Sequence, residues 1–198
     1  TTIADGAPRE TVHRVTSRRG RHTMAELSDI LRDAIKLEQE GERYYEMAAA
    51  NTLNALARNT FRSLAERERR HAELLRAYCD AVSKGGQCPT PEQIDATPYS
   101  LSDTAREIFD KAREELGSGS VLPEDLEELY EGAIALERKS IELYEQQAEA
   151  AEVDEHEEFL RYLVDQEKGH LRLLSEGQQY LADPESWYFE EEQWGVTG

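Results

Sequence analysis

The feature that most constrains the fold is an internal repeat. Residues 34–75 lie over residues 133–174 at a constant offset of 99, with Ala34, Ile35, Leu37, Glu46, Arg62 and Leu64 meeting identical residues at Ala133, Ile134, Leu136, Glu145, Arg161 and Leu163. A unit of this length with a helical apolar period reads as a helical hairpin, so the chain contains one hairpin twice. Each copy holds a Glu and a His three residues apart, Glu68 with His71 and Glu167 with His170. Residues three apart share a helix face, so each pair can present both side chains to one metal ion. The spacing alone is weak in so acidic a chain, and Glu10 with His13 shows it without meaning; recurrence at the repeat offset gives it weight.

Four helices follow from the apolar spacing. Helix A runs from a capping box at Thr23 and Glu26 to about residue 51, and helix B covers about 54–84, ending at Gly85-Gly86. Helix C covers about 123–152 with Pro123 in its first turn, and helix D about 154–182. Their inner faces read Leu27-Leu31-Ala34-Glu38-Gly41-Tyr45-Ala48, Ala57-Phe61-Leu64-Glu68-His71-Leu75-Tyr78, Leu126-Tyr130-Ala133-Glu137-Ser140-Tyr144 and Leu160-Leu163-Glu167-His170-Leu174-Gly177-Leu181. Residues 85–122, with Pro89, Pro91 and Pro98, form a long B-to-C crossover carrying an extra helix near 102–116. Each main helix is about 45 Å long and carries its polar core residues near its midpoint, so in an antiparallel bundle Glu38, Glu68, His71, Glu137, Glu167 and His170 converge at one height.

Composition narrows the partners. A net charge of -19 argues against nucleic acid and anionic membranes. No apolar run is long enough for a membrane span and no signal peptide is visible, so a cytoplasmic protein is expected. Cys79 and Cys88 form no Cys-x-x-Cys pair and read as reduced thiols. Residues 1–23, with five arginines against Asp5 and Glu10, read as a basic mobile tail whose His13 and His22 are solvated. Residues 184–198 place Trp187, Tyr188, Phe189 and Trp194 among acids, as a tail that packs on the bundle or a dimer mate, or docks an electron donor. His156, near the start of helix D, reads as structural or partly exposed.

Four buried carboxylates would forfeit many kcal/mol of hydration unless neutralised. Two divalent metals cancel four negative charges; the alternatives are glutamates that are protonated or paired with arginine, or a bundle packed loosely enough for water to reach them. Carboxylate and imidazole ligands without thiolate suit iron or manganese.

One Glu on helix A, Glu-x-x-His on B, one Glu on C and Glu-x-x-His on D resemble the ferritin-like di-iron carboxylate proteins, and the hairpins look most like the rubrerythrins, over about residues 24–183. The resemblance implies an all-α, ferritin-like antiparallel four-helix bundle holding two Fe ions. Carried over by position, Glu68 and Glu167 would bridge the irons, with Glu38 and His71 on one and Glu137 and His170 on the other. Tyr45 and Tyr144, each seven residues after a terminal ligand, resemble the tyrosines that hydrogen-bond ligand carboxylates in this family; simple core packing is the alternative.

Two features depart from that pattern. The founding rubrerythrins add a rubredoxin domain, for which this chain has no cysteines, so the resemblance implies an external electron donor. They also carry a further glutamate one turn after the helix C ligand, where this chain has Ser140, with Gly41 as its repeat mate. These small side chains make the six-ligand set more symmetric, as in bacterioferritin, or leave room for an oxygen species. The first expectation is a di-iron oxidoreductase acting on hydrogen peroxide or dioxygen, paired as a homodimer. An iron-handling ferroxidase, manganese catalase-like dismutation, substrate hydroxylation and a metal-free interaction module stand as alternatives.

Overall fold

The computed structural model describes residues 24–84, Thr90, Ile108 and 124–183 of the chain. Four helices fill them: α1 (Met24–Asn51), α2 (Ala55–Ser83), α3 (Glu124–Ala150) and α4 (Asp154–Ala182). Three-residue turns join α1 to α2 and α3 to α4, which makes each pair an antiparallel hairpin. The Asn54 side chain accepts a hydrogen bond from the Ala57 amide at 3.0 Å and so caps α2. No side chain caps α4, but Asp154, Glu155 and Glu157 place negative charge on its first turn, where the helix dipole favours it. The expected capping box at Thr23, the Gly85-Gly86 stop, the crossover helix and both tails lie outside the described residues. Among the described residues, no helix is long and apolar enough to cross a membrane.

The inner faces read from the sequence are the buried faces, from Leu31 through Leu181. They form two apolar clusters, one at each end of the bundle. The first gathers Tyr45, Phe61, Leu64, Tyr130 and Leu174, and the second Leu31, Leu75, Tyr144, Phe159 and Leu163. Side chains of this size each stabilise the fold by roughly 1.5–3 kcal/mol when removed from water. The second cluster joins the start of α1 and the end of α2 to the end of α3 and the start of α4, so α2 ends at one end of the bundle and α3 begins at the other. Ile108, in the chain between them, is buried against the first cluster.

The two repeats have exchanged bulk at their ends. Tyr78 and Leu31 at one end correspond, 99 residues on, to Gly177 and Tyr130 at the other. A Cβ on Gly177 would lie 2.9 Å from the Tyr130 hydroxyl, so the tyrosine of α3 takes the space that a side chain of α4 would fill.

Candidate metal centre

Between the two apolar clusters, all six predicted ligands come together. Glu38, Glu68, His71, Glu137, Glu167 and His170 are each at most 4 % exposed. Glu68, His71, Glu167 and His170 each offer one donor atom within 4.8 Å of the others, a spacing that one shared metal site could accept. The remaining two carboxylates flank this group. Nδ1 of His71 lies 3.3 Å from Oε2 of Glu38, and Nδ1 of His170 lies 3.7 Å from Oε2 of Glu137. The imidazole rings stack, with centroids 5.2 Å apart and planes 11° from parallel.

The centre is pseudo-symmetric but not symmetric. Glu167 lies between both histidines, with Oε1 at 2.9 Å from His71 Nδ1 and Oε2 at 3.1 Å from His170 Nδ1. Glu68 meets only one of them, with Oε1 at 3.1 Å from His170 Nδ1. Glu68 instead packs toward Gly41, where an added Cβ would sit 3.2 Å from its Cγ and 3.3 Å from its carboxyl carbon. Gly41 and Ser140 line a narrow cleft with Glu68, Tyr45 and Glu137 that is too tight for a water molecule. The room expected beside these small residues is therefore taken up by the Glu68 carboxylate itself.

Electrostatics follow from this packing. Burial, reinforced by Glu167, Glu38 and Glu137, pushes Glu68 well above the ordinary carboxylate range. Burial and the charge of Glu167 push Glu137 up to about 8. Burial alone would raise Glu167 too, but His71 and His170 on either side hold it well below that range. Burial opposes the charge on His71, yet Glu167 and Glu38 raise it to about 9. His170 is raised well above its ordinary value by Glu167 and Glu137, against the same opposition.

The tyrosines cross-brace the centre. Tyr45 on α1 donates to Oε1 of Glu137 on α3, and Tyr144 on α3 donates to Oε1 of Glu38 on α1. Each holds one oxygen of a carboxylate whose other oxygen, Oε2, is buried without a hydrogen bond. Glu68 Oε1, Glu167 Oε1 and His71 Nδ1 are likewise buried and lack an aligned hydrogen-bond partner. Unsatisfied buried polar atoms normally cost about 1–3 kcal/mol each, more when charged. Five such atoms from four carboxylates and an imidazole, converging on one place, fit divalent cations with a preference for oxygen and nitrogen.

Sequence spacing missed one arrangement. His156 is buried, not partly exposed, and its Nδ1 shares a hydrogen bond with the Tyr78 hydroxyl. No linear period relates positions 78 and 156; only the antiparallel pairing of α2 with α4 brings them together. Cys79 is a free, half-buried thiol, and Cys88 lies outside the described residues.

A bundle of two repeated hairpins with a buried Glu and His centre at mid-height defines a ferritin-like four-helix protein. The rubrerythrin family model matches residues 29–176, well over half of the chain, and the chain belongs to the rubrerythrin family. Neither the curated proteins nor the solved structures gave a significant match.

Proposed function

We propose that this chain is a rubrerythrin-type oxidoreductase that holds two irons, with manganese as the possible substitute, and uses them to reduce hydrogen peroxide or dioxygen. The observation that carries the reading is the set of buried carboxylate oxygens, one from each of four glutamates, that lack an aligned hydrogen bond and converge on two imidazoles. When bound, a pair of irons supplies two one-electron steps at adjacent ions. Glu38 with His71, and Glu137 with His170, would hold the two ions together with Glu68 and Glu167. Tyr45 and Tyr144 are positioning residues that fix Glu137 and Glu38 so that one oxygen of each stays turned to the metal. Full burial keeps bulk water from the ligands and strengthens their charge interactions.

The two cysteines of these 198 residues cannot build a four-thiolate iron site, so the electrons come from a donor outside them. A cytoplasmic homodimer without nucleic-acid or membrane partners accords with this reading. The test is to load the metal-free protein anaerobically with Fe(II), mix it with hydrogen peroxide or dioxygen, and follow the absorbance of oxidised iron. Faster oxidation by peroxide is expected, abolished in Glu68→Ala and His170→Ala. Unchanged rates in those variants would overturn the assignment, and faster oxidation by dioxygen would favour the ferroxidase alternative.

A further inference from the structure

At one end of the bundle, two turns along α2 from His71, the Tyr78 ring is buried and its hydroxyl is hydrogen-bonded to Nδ1 of His156 in the first turn of α4, a bond in which the phenol donates when the imidazole carries its hydrogen on Nε2. The phenol also lies 3.3 Å from the Glu155 carbonyl, and its ring stacks on Phe159 with centroids 3.9 Å apart and planes 1° from parallel. Seven residues of helix separate Tyr78 from His71, about 10 Å along the axis. Tyr78 shares its apolar cluster with Tyr144, which holds Glu38, so packed side chains connect it to the centre.

Hairpin packing does not require this pair. Ninety-nine residues away its counterparts are Gly177 for Tyr78 and Ala57 for His156, and the phenol that fills that place, Tyr130 of α3, has no imidazole from the position matching His156. Its chemistry also differs from that of the other two tyrosines. Oxidising Tyr45 or Tyr144 would drive a proton onto Glu137 or Glu38, both proposed ligands. Tyr78 has the His156 imidazole beside it instead, and burial, against the pull of Glu155, lowers His156 from its ordinary value and so favours the neutral ring, which accepts at Nδ1 in its Nε2–H tautomer.

We propose that Tyr78 and His156 form an auxiliary redox site that supplies one electron to the metal centre when peroxide meets a half-reduced iron pair. The inference rests on the peroxide-reducing reading above. Reduction of hydrogen peroxide to two waters takes two electrons and two protons. The half-reduced pair gives one electron and Tyr78 the other, while the two protons come from solvent. Tyr78 loses its phenolic O–H bond, passes that proton to Nδ1 of His156, and is left as a neutral tyrosyl radical beside an imidazolium. The external one-electron donor then reduces the radical, and His156 returns the proton. Without this electron the oxidising equivalent would attack the ligands.

The test uses the full chain, iron-loaded and reduced to one electron per pair, mixed with one equivalent of hydrogen peroxide and frozen rapidly for EPR. A tyrosyl signal should replace the half-reduced iron signal. Tyr78→Phe keeps the stacked ring and should abolish the tyrosyl signal with metal content and melting unchanged. His156→Leu removes the proton acceptor and should slow radical formation by roughly a hundredfold. An undiminished signal in Tyr78→Phe, or loss of the iron signal in the wild type without any tyrosyl signal, overturns the proposal. If peroxide leaves the iron untouched, the peroxide reading fails. Flash photo-oxidation of the metal-free chain by a ruthenium tris-bipyridine complex then decides for Tyr78 alone: a long-lived radical lost in Tyr78→Phe supports the pair, and an equal radical in both proteins overturns it.

Discussion

Raising the pH on the metal-free protein should unfold it where most acidic proteins are stable. Glu137 moves from 4.5 up to about 8 in the fold, and His71 from 6.5 up to about 9. Both folded values are raised, so each group contributes stability that is complete below its unfolded value and lost as pH rises through its folded value. Between pH 6.5 and 8 folding then takes up protons at both positions. Each proton taken up costs about 1.4 kcal/mol of stability per pH unit. Even one proton is a serious loss against a total of roughly 5–15 kcal/mol. Glu167 works in the opposite sense, since its folded value is lowered and its contribution is lost only under acid. Divalent metal should remove the alkaline loss, because ligated carboxylates are ionised and ligated imidazoles neutral in the fold. The assay is thermal melting by circular dichroism across this range, with and without Fe(II) under anaerobic conditions. A metal-free melting temperature that stays flat or rises from pH 6.5 to 8 would refute the reasoning.

Two further perturbations probe the packing around the centre. Leu163→Ala opens a cavity in a fully buried site and should cost about 2–5 kcal/mol in denaturant unfolding, with a lowered midpoint and an unchanged slope. Gly41→Val places a branched side chain where even a Cβ lies 3.2 Å from Glu68, so it should displace that carboxylate and weaken metal binding by roughly tenfold, about 1.4 kcal/mol, in anaerobic titration.

Much of this protein can be read in its sequence because two periodicities reinforce each other. The 3.6-residue period sets the inner face of each helix, and the 99-residue offset picks Glu68, His71, Glu167 and His170 out of a chain crowded with glutamate. Tyr45 and Tyr144 were legible as neighbours of ligands, but the crossed donation, α1 to α3 and back, needed the relative placement of the hairpins. What escaped depends on contacts between helices that no spacing encodes. The unequal surroundings of Glu68 and Glu167 lie in contacts between the two hairpins, and both residues look alike in the repeat. Tyr78 and Gly177 are visible as unequal mates, yet only the packing shows that Tyr130 fills the space at Gly177 and that His156 meets Tyr78.

The most direct test of the centre is anaerobic titration of the metal-free chain with Fe(II), read by metal analysis and by the spectroscopic signature of a coupled pair. Binding should saturate at two irons per chain, and Glu68→Ala, Glu167→Ala or His170→Ala should lower that number. Saturation at one iron, or at two in variants that lack Glu68 or Glu167, would contradict a di-iron centre built from these six residues.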